Sequence, residues 1–440
     1  MTLFKYGLLS LALTCAFTAQ ADDLLVIYQQ ALDADPKSRS AAEKTGIGTA
    51  QKGQALGQML PQIALSANWS TNRFTQTVAN SSDKIQNYPG TRYYLSLSQS
   101  LMDFGKFWAW RQATKVEDQY ATEAIEAHNQ LMFNVVDLYF SELQAEDELY
   151  FAKTEKLATQ KHLEQIQKQY AKQLSKITDL YAIKARLDQL AAAEIVAESK
   201  RVTALASLSE LTGSVPASLN KLRTQIDYVE IQGNLPQWLE MAQSQNPAIS
   251  ARQKAIIASE TYVTVQKAKH LPTADLQLNY NNNNTGFQSS FQLPYEVQTA
   301  AINVNVPLFS GGITANQVSE ARYRLQISKN DNEATVRSII KETSDAFLST
   351  NAATHSIKAS QKALESTSKS LEAMEKGYRL GVVTISDLIK AQQDEFSANK
   401  DLAIAKYNYI KNRIRFMHAI GSISEENLHE VNNWLETKNP

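Results

Sequence analysis

Residues 376–392, KGYRLGVVTISDLIKAQ, interrupt a long helical pattern with Gly377, Gly381, two adjacent valines and a Ser-Asp pair. A weaker copy, KQYAKQLSKITDLYAIK, stands at 168–184. No glycine occurs between Gly105 and Gly213 and no proline between Pro89 and Pro216. After Pro307 the next proline is Pro440, and Gly377 and Gly381 are the only glycines between Gly312 and Gly421. Stretches that avoid both helix breakers for so long read as helices. Met132, Val135, Val136, Tyr139 and Leu143 recur at helical spacing, as do Val336, Ile339, Ile340 and Phe347. The runs at 106–171 and 313–378 would each extend roughly 100 Å at about 1.5 Å per residue, far more than a globular core needs. Each is followed by a break and a shorter helical run, Leu180 to Leu211 and Leu388 to Ile420. The two quoted stretches are therefore expected to be the tips of two antiparallel helical hairpins. Their narrow apolar stripes and polar outer faces suit coiled-coil packing with a wet side.

At the second tip, Gly381 can supply the positive φ that ends a helix, Val382 and Val383 suit an extended turn, and Ser386 is the expected N-cap of the returning helix. Thr178 occupies the matching place in the first tip. Asp387 and Asp179 then fall in the first turn, where the helix dipole stabilises a carboxylate.

Ahead of each hairpin the period changes to two. Leu65, Ala67 and Trp69 alternate with Ser66, Asn68 and Ser70, and Leu95 and Leu97 with Ser96, Ser98 and Ser100. In the second half Leu276, Leu278 and Tyr280 alternate with Gln277, Asn279 and Asn281, and Ile302, Val304 and Val306 with Asn303 and Asn305. One apolar and one polar face is the pattern of transmembrane β-strands, with Trp69, Tyr93, Tyr94 and Tyr280 suited to membrane interfaces. Polar loops are expected from Asn72 to Gly90 and from Asn281 to Glu296, the latter containing NNNNTG. Four strands cannot close a barrel, so several copies must complete one sheet; dimers would give eight strands and trimers twelve.

Composition narrows the chemistry. Lysine and arginine number 44 against 45 acidic residues, and the mean hydropathy is −0.35, so nothing points to nucleic acid. Lys5, the apolar run Gly7 to Ala19 and Ala19-Gln20-Ala21 read as a cleavable secretory signal over residues 1–21. The single cysteine, Cys15, lies inside it, which removes disulfides and thiolate chemistry from the mature chain. Beyond the signal no apolar run is long enough for a transmembrane helix. The six histidines, 128, 162, 270, 355, 418 and 429, lack metal-ligand spacing, and TGIGTAQKG at 45–53 lacks the spacing of a nucleotide-binding loop and reads as helix. Carboxylate pairs such as Glu146-Asp147 sit on helix surfaces, no P-loop or nucleophile elbow occurs, and neither an enzyme nor a cofactor is expected.

The segments HLPTADLQLNY (270–280), VNVPLFSGG (304–312), LSLSQSLMDFGKFWA (95–109), LEAMEKGYRLGVVTISDLIKA (371–391) and AKYNYIKNRIRFMHAIGSIS (405–424), in that arrangement over two halves, resemble the TolC family of bacterial outer-membrane efflux and secretion channels. The resemblance implies an α+β membrane protein: a homotrimer with a twelve-stranded barrel, four strands per chain, continuing into a periplasmic α-barrel of twelve helices with a mixed equatorial region. It implies docking to an inner-membrane transporter of the RND, ABC or MFS class through a periplasmic adaptor, and a passive duct for drugs or secreted protein. On this plan the first repeat is 22–215, with strands at about 61–77 and 91–103 and a hairpin at about 106–211. An equatorial linker fills 216–246, and the second repeat is 247–420, with strands at about 272–284 and 297–309 and a hairpin at about 313–420. An equatorial segment, 421–440, ends the chain.

The resemblance also assigns roles at the tips. Thr178 and Asp179 of the first hairpin would meet Tyr378 of the second to hold the entrance shut, and Asp387 would form a charged ring in the oligomer. Val383 stands where the family's best-known pattern has an arginine of the lock, and Lys390 where it has a second aspartate. Lys390 is expected to pair with Asp387 at i, i+3. Adaptor docking falls on Gln173, Leu174, Ser175 and Lys176 and on Arg379, Leu380, Gly381, Val382 and Val383, with Gln173 replacing the glycine expected in the first tip. The alternative from another class is a periplasmic coiled-coil scaffold whose strands form a soluble domain.

Overall fold

The computed structural model describes residues 22–77, 79, 82–284 and 293–436. The expected signal and most of the second inter-strand loop lie outside these residues. The chain divides into two compact units, one made of residues 37–128 and 241–341, the other of the remaining segments.

The first unit is built around one antiparallel sheet in the order β1 (Gln62–Gln76), β2 (Lys84–Met102), β3 (Thr273–Asn284) and β4 (Tyr295–Asn305). Register assigns every side chain to a face. Ile63, Leu65, Ala67 and Trp69 stand opposite Leu97, Leu95, Tyr93 and Thr91. Leu97 and Leu95 in turn face Leu278 and Tyr280, which face Ala300 and Gln298. This apolar face is uncovered: Ile63 is 70% exposed, Leu65 72%, Trp69 69% and Ile302 65%. The opposite face carries Ser66, Tyr94 and Asn281 in one row and Asn68, Arg92 and Asn283 in the next. Tyr94 therefore leaves the expected set of interfacial aromatics. Its hydroxyl donates to Asn279 Oδ1 at 2.9 Å on the polar face, while Trp69 and Tyr93 pack edge to face, 6.1 Å apart, on the apolar one.

The expected loop from Asn72 to Gly90 is largely strand, since pairing continues from Asn72↔Tyr88 to Gln76↔Lys84. Among the described residues β3 pairs with β2 from Thr91 onward, and Pro89 stands beyond that point, opposite Thr71 of β1. Asn281–Asn284, Tyr295 and Glu296 likewise belong to β3 and β4 rather than to a loop.

The same unit contains α2 (Pro36–Gly57), α6 (Pro247–Ala268) and the starts of α3 (Phe104–Ala171) and α7 (Ile313–Arg379). The 45–53 glycine stretch is part of α2. Gly48 lets α2 approach α3 closely, since a Cβ there would lie 3.0 Å from the Glu117 backbone. Thr49 and Lys52 hydrogen-bond to the same glutamate at 2.9 and 2.7 Å.

The second unit packs α1 (Leu24–Ala34), the remainder of α3 and α7, α4 (Ile177–Thr212), α5 (Leu235–Gln245), α8 (Ile385–Ala419) and α9 (Glu425–Asn432). Its core gathers Leu24, Ile27, Tyr28, Val135, Val136, Tyr139, Phe140, Leu143, Tyr409, Ile410 and Leu428. A fully buried side chain of this size contributes about 1.5–3 kcal/mol. The linker after α4 is an extended strap held at discrete points. The Tyr139 hydroxyl lies 3.0 Å from Asn220 O, the Tyr409 hydroxyl donates to Val229 O at 2.8 Å, and Asn351 Oδ1 accepts from Ile231 N at 2.8 Å. Short bridges Asp22↔Leu219 and Leu222↔Leu435 join the segments before α1 and after α9 to the strap.

Candidate functional site

The two hairpin tips share one backbone motif. At the second, Val382 N donates to Gly377 O and Gly381 N to Tyr378 O, both at 3.0 Å, with Gly381 at φ 75°. At the first, Leu174 N donates to Gln169 O and Gln173 N to Tyr170 O, both at 2.9 Å, with Gln173 at φ 58°. These are paired Schellman caps. Gln173 is the only non-glycine at positive φ among the described residues. The turn is preserved and the missing glycine appears as backbone strain, about 1–2 kcal/mol for a left-handed L-residue. Gly377 has a different cause: a Cβ there would lie 2.6 Å from Val383 Cγ2.

Because each cap is so tight, the returning helices start earlier than the sequence reading expects. The N-cap of α8 is Thr384, not Ser386; its Oγ1 accepts from Asp387 N at 3.2 Å and donates to Asp387 Oδ2 at 2.6 Å. The N-cap of α4 is Lys176, which makes no side-chain capping bond, and Thr178 is an exposed residue of the first turn. A lysine ammonium has no acceptor to offer an N–H, so the first tip lacks roughly 1 kcal/mol of capping that Thr384 supplies to the second. Asp179 instead accepts from Ser175 Oγ at 3.4 Å.

The tips meet through a small apolar plug of Ile166, Ile183, Ile385 and Leu388, with Leu163, Leu180, Leu371, Met374 and Tyr378 packed around it. At its edge the Tyr378 hydroxyl donates to Gln169 Oε1 at 3.1 Å, linking the second hairpin to the C-terminal turn of α3. The expected partners, Thr178 and Asp179, do not receive this proton. Burial raises the Tyr378 pKa and the nearby Asp179 carboxylate raises it further, so the hydroxyl stays protonated well past neutral pH. Gln169 was missed because it has no cap or charge signature of its own. It is reached only by noting that it and Tyr378 both lie in the last turns of the two long arms.

Lys390 and Asp387 are both exposed and form no ion pair with each other among the described residues, so the expected i, i+3 neutralisation is absent. The Asp387 carboxylate is engaged by Thr384 instead. At the outermost points Leu174, Leu380 and Val382 are 74%, 78% and 77% exposed. The first hairpin is laced above its tip by Arg186–Glu155 at 2.5 Å, Lys156–Glu194 at 2.7 Å and Lys153–Glu198 at 3.3 Å. In the second, Ser368 donates to Glu395 at 3.3 Å. No group of metal-ligating side chains occurs among the described residues.

The sequence profile of the family described as Outer membrane efflux protein matches residues 27–214 and 238–422. The chain is 29% identical to Outer membrane protein TolC of Vibrio cholerae serotype O1 over 427 residues, 96% of this chain and 96% of that protein. It is 26% identical to Alkaline protease secretion protein AprF of Pseudomonas aeruginosa, covering 93% of this chain and 86% of that one. Its fold is similar to the Campylobacter jejuni CmeC outer membrane channel, with a TM-score of 0.80 at 16% identity over 94% of this chain and 90% of that chain.

Proposed function

This chain belongs to the outer membrane efflux protein family, and from that premise we infer how it works as an outer-membrane efflux and secretion channel. Three copies complete the barrel, each giving four strands, so that β1 of one chain pairs with β4 of the next and no edge remains open in lipid. The observation that carries this reading is the sheet itself, with β1 and β4 at its edges among the described residues and an apolar face bearing Ile63, Leu65, Trp69, Ile302 and Val304 in the open. A soluble scaffold would have to cover that face. A bilayer covers it without further protein.

The periplasmic gate is the hairpin-tip cluster. Tyr378 ties the second hairpin to Gln169, Asp179 adds negative charge beside it, and Thr178 stands at the surface of the same turn. Opening separates the tips, and the cross-arm ion pairs support the first hairpin as the fixed partner. An adaptor docks on Gln173 to Lys176 and Arg379 to Val383, where the exposed leucines and Val382 offer apolar contact, and couples the duct to an inner-membrane transporter. Asp387 and Lys390 set the entrance charge. The test is planar-bilayer conductance of the purified mature protein, with a heat-modifiable trimer in the outer-membrane fraction. Discrete channels are expected; a monomer confined to the soluble periplasmic extract overturns the reading.

A further inference from the structure

The polar face of the sheet carries unequal charge along its height. Its described charged side chains are Lys84, Arg92 and Asp275, set among serines, asparagines, glutamines and tyrosines. Asp275 pairs with Ser100, near the helical end of β2, and Arg92 pairs with Asn68 and Asn283. Eight residues of strand separate the two levels, about 27 Å, so the carboxylate does not neutralise the guanidinium. No carboxylate lies within ion-pair distance of Arg92 among the described residues. The undescribed stretches beside this end, residues 78, 80, 81 and 285–292, contain no Asp or Glu.

Arg92 is held rather than loose. Its Nε donates to Asn281 Oδ1 at 3.3 Å, and its guanidinium carbon lies 5.4 Å from the centre of the Tyr94 ring, which is anchored in turn on Asn279. One N–H is spent on a neutral acceptor and one face on an aromatic ring, leaving the two terminal amino groups on the polar side of the sheet. An uncompensated guanidinium with fixed geometry suits oxyanions, which it can bind bidentately.

We propose that Arg92 forms an anion-binding ring inside the outer half of the barrel, one guanidinium from each copy, whose ligands are multivalent oxyanions and anionic cargo. The proposal rests on the barrel reading above. In a twelve-stranded barrel with strands about 4.8 Å apart, tilted about 40°, the wall stands about 12 Å from the axis and an inward arginine places its charge about 6 Å from it. Three such charges, screened over about 8–10 Å, favour a monovalent anion over a cation at the axis by roughly tenfold, and a multivalent anion by more. The ring lies in the barrel and is separate from Asp387 and Lys390 of the helical tips, so the duct carries two independent charge filters.

The experiment is single-channel recording of the full-length mature protein with inositol hexakisphosphate added to one side at a time. Block from the extracellular side at lower concentration than from the periplasmic side is expected in the wild type. Arg92→Gln should weaken extracellular block at least about tenfold, as loss of a ring of fixed charges requires, and Arg92→Lys, which keeps the charge but loses the bidentate fork, should fall between the two. Unchanged block in an Arg92→Gln channel overturns the ring. If that variant does not assemble as a heat-modifiable trimer, the wild-type sidedness decides: equal or weaker block from outside overturns the proposal. A wild-type protein that stays monomeric in the soluble periplasmic extract would instead overturn the barrel reading itself.

Discussion

Replacing Tyr378 with phenylalanine removes one oxygen from the proposed gate and leaves the ring in its place beside the apolar plug. What is lost is the 3.1 Å bond to Gln169 Oε1. A neutral hydrogen bond contributes about 0.5–1.5 kcal/mol net, and the half-buried Gln169 can turn its amide to water, so about 1 kcal/mol per chain is appropriate. If three tips close together, the closed state loses about 3 kcal/mol, which shifts the closed-to-open ratio by roughly a hundredfold. Planar-bilayer recording at fixed voltage reads this as a rise in the fraction of time spent in the high-conductance state. Gln169→Ala should produce a similar rise, because it removes the acceptor while leaving the backbone carbonyl that caps α3. The double variant should add little to either, since both delete the same bond. Additive effects of the two substitutions, or no change in Tyr378→Phe, would refute the assignment of this pair to the closed gate. Because burial and Asp179 raise the Tyr378 pKa, the closed fraction should also stay flat with rising pH until beyond the ordinary tyrosine range, where deprotonation removes the donor.

Lys390→Asp reverses one exposed charge per chain close to Asp387 and should shift the reversal potential in a salt gradient toward stronger cation preference; no shift would remove Lys390 from the entrance. Gly377→Ala drives a methyl into Val383 and should cost about 1–3 kcal/mol by overpacking, read as faster amide exchange at Val382, with Val383→Ala restoring protection. Glu142 is buried at 3% exposure, with Arg201 3.7 Å away and Oε2 unpartnered; desolvation pushes its pKa up to about 7. A raised carboxylate pKa favours the folded state below the unfolded value and loses that contribution as pH climbs toward 7, so thermal stability should fall between about pH 4.5 and 7 by up to a few kcal/mol. Glu142→Gln should flatten this slope, and an identical pH profile in the variant would refute it.

The parts of this molecule that the sequence discloses are those in which one physical requirement repeats. Helix breakers are excluded from the long arms because each breaker would cost about 1–3 kcal/mol, so their absence marks two hairpins; Gly377 and Gly381 mark the second tip, while the first has neither glycine nor proline and is legible only as a copy of the second. Alternation in LSLSQS assigns faces because lipid and water lie on opposite sides of a single strand. The same alternation puts Tyr94 with Ser96 on the polar face, where the register has it. Other features carry no repeating signal. Lys84–Gly90 breaks the alternation with Asn87, Pro89 and Gly90, although its pairing with β1 continues to Lys84. The start of α8 at Thr384 depends on how tightly Gly381 closes the cap, and Gln173 shows that a glutamine can be held in the same turn when the surrounding bonds require it. The proposed gate follows from this logic. A Schellman cap fixes the last turn of each arm, the two caps bring Gln169 and Tyr378 within hydrogen-bond distance, and no arginine is needed at Val383 for that contact to form. A tie between neutral groups is screened little by salt, so the closed state should hold its strength as ionic strength rises, where a lock built from ion pairs would loosen.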